Sequence, residues 1–544
     1  MDIFDWLITR LIDGTIKKRE DLQRHKIMAA KEFNIPNLSA NSEILKAVRE
    51  RIHDPATLKR ITKLLRRKVT RTISGVAPVA VMTSPADCPH GRCKCCPGGV
   101  STNTPQSYTG HEPAALRGAT YDFDPYLQTV NRINQLEAIG HTTAKIDLIV
   151  MGGTFPARDT DYQEMFIRRC FDGMNKAGTL LQKDFEIRGS GTLEEAQMEN
   201  EGAAHRCIGL TIETRPDCCY EDHVDRMLLQ GCTRVELGVQ SIHDRALLSI
   251  SRGHDVNSII KATRTLKNRG LKVCYHLMPG LPGETPEGDL EMFAKIFTDQ
   301  SFRPDMLKIY PVVVVAGTEL YNMWKRGEYA PYELGTITEL VAEMKALTPR
   351  YTRIQRIQRD IPAKMIDDGV KYSNLRQIVR DYMSLNNMKC SCIRCREFGH
   401  NAPENIDVDL DRILYKITEY KASGSMEFFI EGTESNSGLL CGYLRLRYLS
   451  GNETDLRSEI AGTRTGIIRE IKVVGPPLDI GERDDEHIQH LKLGDALLKK
   501  AERISNDQGC RQILVTSGVG VRGYYKARGY DPEGPYMRKT LHGA

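Results

Sequence analysis

From about residue 76 onward the chain alternates short apolar runs with amphipathic stretches. KIDLIVMGG (145–153), RCIGLTIETRP (206–216), RVELGVQS (234–241), LKVCYHLMPGLPG (271–283) and LKIYPVVVV (307–315) read as strands. YQEMFIRRCFDGMNK, HVDRMLLQG, VNSIIKATRTLKNRG and GDLEMFAKIFTD read as the helices between them. Buried strands separated by single helices predict a parallel sheet with right-handed crossovers. Five or more such units in a row predict an α/β fold with a full or partial TIM-like (β/α) barrel. In such barrels the reactive groups gather where the strands end.

The pattern breaks twice. Residues 1–75 read as helical. Near 385–410, MKCSCIRCREFGHNAPEN has neither period. After it come FFIEGTE, LLCGYLRLRYL, IIREIKVVG, the helical HLKLGDALLKKAERISND and RQILVTSG, a mixture expected of an α+β acyl-CoA-binding fold. The expected division is therefore a helical N-terminal region (1–75), a barrel domain (76–385), a linker (386–410) and an acyl-CoA-binding domain (411–544). A chain of 544 residues is too long for one core, which agrees with this division.

Charge adds one feature. The net charge is only +5, but residues 1–75 carry seventeen Lys/Arg against nine Asp/Glu. KKRE (17–20), LKR (58–60) and KLLRRK (63–68) would line helix faces with cations, suited to a phosphate backbone or simply to solvent. No run of apolar residues is long enough for a membrane span, and no secretory signal is visible. A cytoplasmic protein is expected, and its fifteen cysteines then point to metal chemistry rather than disulfides.

Seven of those cysteines fall in two clusters. CPHGRCKCCPGG holds Cys88, Cys93, Cys95 and Cys96. Cys88-x4-Cys93-x2-Cys96 can hold three irons of a 4Fe-4S cubane, leaving the fourth iron open to the amine and carboxylate of S-adenosylmethionine. One electron from such a cluster would break the sulfonium bond and release a 5′-deoxyadenosyl radical. A structural zinc site with Cys95 as fourth ligand is the competing reading. The loop is expected just before the first barrel strand, at the barrel mouth. In the second cluster, Cys390, Cys392 and Cys395 suit a zinc clamp, with His400 a candidate fourth ligand or a surface imidazole. RIQRIQRDIP (353–362) and the stretch from Tyr372 to Arg380 supply cations and aromatics that could grip an RNA loop.

CPHGRCKCCPGG, PQSYTGHEPAALR, IVMGGTF, TIETRPD, VELGVQS, MPGLPG, QRDIP, VTSGVGVRGYYKARGY and GPYM resemble, in this order, the family of the catalytic subunit of Elongator, in its stand-alone archaeal form. The resemblance runs from about residue 75 to the C-terminus. It implies a radical S-adenosylmethionine barrel fused to a GNAT-type acetyltransferase-like domain, acting on the wobble uridine (U34) of the tRNA anticodon stem-loop to give 5-carboxymethyluridine. The radical would take hydrogen from the acetyl methyl of acetyl-CoA, and the carbon radical would add to C5 of the base.

The resemblance also implies site residues. Gly152 and Gly153 would receive the amine of S-adenosylmethionine. By position rather than resemblance, Glu213, Arg215, Glu236 and Gln240 fall near strand C-termini, where they would bind its ribose and carboxylate, position substrate, cap strands or form structural ion pairs. Lys145 would reach acetyl-CoA, although position alone reads it as a surface residue. Further acetyl-CoA contacts are implied at Glu470, Ile471, Lys472 and Val473, at Leu493, Gly494 and Asp495, and at Tyr525. The usual Q-x-x-G-x-G here reads Gln489-His490-Leu491-Lys492-Leu493-Gly494, and Asp495 is expected to repel the pyrophosphate. A protein (histone) lysine acetyltransferase with a structural metal cluster, and a non-catalytic tRNA-binding scaffold, are the rival readings. No DNA partner is expected, and the chain is expected as a monomer or homodimer.

Overall fold

The computed structural model describes residues 2–541 apart from 38, 68–71, 73, 178–188, 402–411 and 475–492. Two seven-stranded sheets organise it. The first is wholly parallel and follows chain order: β1 (Ala77–Met82), β2 (Lys145–Met151), β3 (Arg206–Thr214), β4 (Arg234–Gln240), β5 (Lys272–Leu277), β6 (Met306–Ile309) and β7 (Arg353–Ile357). Each strand is followed by helix, so the hydrophobic faces of sheet and helices close on one core that includes Val79, Leu148, Phe166, Leu210, Val235 and Phe293. The seven strands form a partial barrel, as the alternation of runs predicts.

Two of these strands differ from the sequence reading. β1 precedes the first cysteine cluster, so that loop follows a strand instead of preceding the first one. Residues 353–357 are the last barrel strand, with Arg353 paired to Glu397 and Arg356 to Asp360. Arg353 is tied into the fold, whereas Arg356 and Arg359 stand on the wall of the mouth cavity.

The second sheet holds β8 (Ile413–Ala422), β9 (Ser425–Glu434), β10 (Leu440–Leu449), β11 (Thr465–Val473), β12 (Gln512–Val515), β13 (Asp531–Glu533) and β14 (Tyr536–Thr540), in the order β13-β14-β12-β11-β10-β9-β8. Only β11 and β12 pair in parallel, and their pairing stops at Ile468–Val515. β11 runs on to Val473, so the two strands part beyond that point. The helix Leu493–Asp507 packs Leu493, Leu497 and Ala501 against this sheet.

Helices Ile3–Ile12, Arg19–Glu32, Asn41–Arg51 and Pro55–Leu65 bury Trp6, Leu7, Leu11, Ile44, Val48 and Ile61 in a core of their own. The aperiodic stretch near 390–401 folds as two single-turn helices, Ile393–Arg396 and Phe398–Asn401. Among the described residues no helix is long and apolar enough to cross a membrane.

Candidate functional site: two pockets on one barrel

The loop after β1 is pinned at several points. Gln106 accepts from the Cys88 amide at 3.0 Å and donates to the Gly91 carbonyl at 2.8 Å. The Lys94 amide donates to the Ile250 carbonyl at 3.0 Å, and Arg92 donates to the Gly317 carbonyl at 3.2 Å. Held this way, Cys88, Cys93 and Cys96 all open onto one cavity of about 630 Å³ at the C-terminal ends of the strands. Cys95 lines the same cavity and packs in part against an apolar cluster with Tyr310 and Trp324.

A hydrogen bond with Cys96, together with burial, pushes the Cys93 thiol up to about 11. A thiol binds a metal as the thiolate, giving up its proton as the metal binds. Arg252 donates to the Cys93 sulfur at 3.5 Å and to the Gly238 carbonyl at 2.6 Å, which places a permanent positive charge at that sulfur. His90 Nε2 lies 3.1 Å from the same sulfur and 2.9 Å from Arg215 Nη1. The donor set thus fits an iron–sulfur cluster.

Across the cavity, Gly152 and Gly153 end β2 with φ of 131° and 105°. A Cβ on Gly152 would sit 2.0 Å from Thr83 Oγ1, so no other residue could turn the backbone there. Glu213 accepts from the Tyr108 hydroxyl at 2.6 Å. Glu236 is wholly buried; burial works against its charge, but Lys308 and then His276 outweigh it and hold the carboxyl well below its usual range. His276 Nε2 stands 2.9 Å from Glu236, and Lys308 pairs directly with the same carboxylate. Gln240 ends β4 with φ of 68° on the cavity wall.

The second cavity, about 510 Å³, lies at the opposite end of the barrel, where the second sheet meets its floor. Lys145 and Asp147 of β2 and Lys272 of β5 form one wall. Glu470, Ile471, Lys472 and Val473, where β11 parts from β12, form another, with Gly494, Asp495 and Tyr525 beside them. Leu493 is buried in the core behind. Glu470 accepts from Arg445 at 2.9 Å and from Tyr443 at 3.2 Å. Asp495 corrects an expectation: it accepts from Arg528 at 2.7 Å and from Tyr524 at 2.8 Å, so its charge is paired and does not stand bare before an anion. Lys145 lies at the pocket wall instead of on the outer surface. Gln489, His490, Leu491 and Lys492 lie outside the described residues.

Cys390, Cys392 and Cys395 bring their sulfurs within 4.8 Å of one another. Three sulfurs this close could hold a metal ion. The His400 side chain lies outside the described residues.

The family profile described as Radical SAM superfamily matches residues 83–296, and that of the Radical SAM C-terminal domain matches residues 304–384. The chain is 50% identical over 509 residues to the tRNA uridine(34) acetyltransferase of Methanocaldococcus infernus, covering 92% of this chain and 91% of that relative. It belongs to this family. Elongator complex protein 3 of Homo sapiens is 38% identical over 549 residues, 98% of this chain and 96% of its own. The solved structure of the archaeal Methanocaldococcus infernus Elp3 with an N-terminal deletion superposes with a TM-score of 0.74 at 46% identity, over 86% of this chain and all 100% of that one.

Within this radical SAM fold, several pocket residues escape a reading by motif: Asp147, Arg234, Arg252, Lys272, His276 and Lys308. A signal was available. Lys145 and Asp147, and Arg234 and Glu236, stand two positions apart, and Lys272 and His276 four apart, on one face of strands whose length and flanks read as buried. A parallel strand covered on both faces has no need of such alternation.

Proposed function

We propose that this chain modifies the wobble uridine of tRNA, placing on C5 of the base a carboxymethyl group drawn from acetyl-CoA. The names of its relatives support the acceptor, and the radical SAM fold supports the route. The observation that carries the reading is Arg234, which stands in the walls of both pockets. A reactive species made at the barrel mouth and an acyl group held at its floor would share one lumen.

Cys88, Cys93 and Cys96 would hold a 4Fe-4S cluster, which when bound supplies the electron that cleaves S-adenosylmethionine to a 5′-deoxyadenosyl radical. Gly152 and Gly153 would accept the amine of S-adenosylmethionine through backbone carbonyls. Glu213, Glu236 and Gln240 would orient the rest of that molecule and the base. Arg252 keeps its cation at the Cys93 sulfur.

At the floor, the unpaired edge from Glu470 to Val473 would take the pantetheine amides. Gly494 is the second residue of a fifteen-residue helix whose first amides suit the pyrophosphate. Tyr525 and Lys145 would bracket the thioester. The target uridine must leave its stack to enter the mouth. The cationic helices near Lys17, Lys18 and Lys63 would hold the phosphate backbone nearby. Cys390, Cys392 and Cys395 would bind zinc, with His400 as fourth ligand.

The test is anaerobic incubation of the reconstituted protein with reductant, S-adenosylmethionine, acetyl-CoA and tRNA. Nucleoside mass spectrometry should find 5-carboxymethyluridine alongside 5′-deoxyadenosine, and Cys93→Ala should abolish both. Unchanged modification in that variant would remove the radical assignment.

A further inference from the structure

Four residues stand near the starts of four neighbouring barrel strands. Asp147 of β2 is in register with Gly209 of β3, and Arg234 of β4 with Lys272 of β5. All four line the floor pocket, but among the described residues only Arg234 also lines the mouth pocket. Its guanidinium is held on both sides, by Asp147 at 3.1 Å and by Glu236 at 3.5 Å, and its side chain is only 12% exposed. Gly209 contributes no side chain to the floor pocket, where it stands in register with Asp147, the carboxylate that holds the guanidinium.

We propose that Arg234 is the specificity-determining neck of the barrel, restricting the acyl thioester to two carbons. The inference rests on the reading of the two pockets as one reaction chamber. An acetyl group held at the floor ends below the neck. Each additional methylene would press apolar carbon onto a guanidinium and break its contact with one of two carboxylates. A pocket discriminates by roughly 10–200-fold for one misplaced methylene, and a charged neck belongs toward the upper end. A Cβ on Gly209 would lie 3.4 Å from Asp147 Oδ1 and from Thr233 Oγ1, ordinary contact, so alanine there takes up floor space beside the carboxylate that holds Arg234 without strain.

The experiment uses the full-length, cluster-loaded protein with tRNA, S-adenosylmethionine and either acetyl-CoA or propionyl-CoA. The modified nucleosides are counted by mass; the propionyl product is heavier by one CH2 group. Wild type should favour acetyl-CoA by at least tenfold. R234A should shrink that preference at least tenfold by gaining propionyl product, R234K should keep it, and G209A should raise it. Selectivity unchanged in R234A overturns the proposal. If R234A does not fold, G209A decides alone: an increased preference supports the neck, and an unchanged or relaxed one removes it. Failure of the underlying reading looks different, because wild type would then make no carboxymethyl product at all.

Discussion

Asp305 and Arg469 are joined by two hydrogen bonds, of 2.6 and 2.7 Å, inside the seam between the barrel and the second sheet. Both side chains are wholly buried. Glu427 lies beside them, accepting from Arg469, from Lys267 at 3.1 Å and from Arg447 at 3.0 Å. The seam is thus ionic at its centre. It holds because each buried acid answers several donors, not one.

Removing one member should therefore be costly. Asp305→Ala leaves Arg469, Arg445 and Lys267 short of a counter-charge in a dry site, and about 3–5 kcal/mol of stability should be lost. Urea unfolding would measure it. A double variant that also replaces Arg469 with Met should recover part of the loss.

The same seam gives a pH dependence. Burial works against the charge of Glu427, but Arg469 and Lys267 outweigh it and bring the carboxyl down from 4.5 to about 2. A carboxylate depressed in the folded state contributes stability above its unfolded value, and that contribution is lost as pH falls through the folded one. The stability difference between wild type and Glu427→Gln should be full above pH 4.5 and shrink as pH falls toward 2. Thermal unfolding across that window would show it.

The clamp made by Cys390, Cys392 and Cys395 should carry one zinc per chain, read by elemental analysis. Cys392→Ser should lose the zinc while keeping the iron. Cys88→Ser should lose iron and keep the zinc.

On the N-terminal helices, Lys17 and Lys18 are exposed, whereas Arg19 donates to the Arg66 carbonyl at 2.8 Å. Reversing Lys17 and Lys18 to Glu should weaken tRNA binding and flatten its salt dependence without unfolding the region. Binding titrations at several salt concentrations would test this.

Much of the barrel was legible because strands such as β2 and β5 lie between helices of clear period. β7 was not: RIQRI alternates Arg and Gln with Ile and reads as polar, because Arg353 turns to Glu397, which no local pattern announces. β1 is a six-residue run ahead of the cysteines and was hidden by their prominence. At the site, the cysteine spacing and the glycines of β2 were visible because their chemistry is local in sequence. Arg234 was not, because its meaning depends on lining two cavities at once. The pairing of Asp495 with Arg528, thirty-three residues away, likewise exists only after folding.

The central claim is that chemistry begun at the three thiolates reaches an acetyl group held at the opposite end of the barrel. Supplying acetyl-CoA with a fully deuterated methyl group tests it most directly. Mass spectrometry should find one deuterium in 5′-deoxyadenosine and two in the carboxymethyl group of the tRNA nucleoside. A carboxymethyl group that keeps no deuterium, or 5′-deoxyadenosine formed without any while modification proceeds, would contradict it.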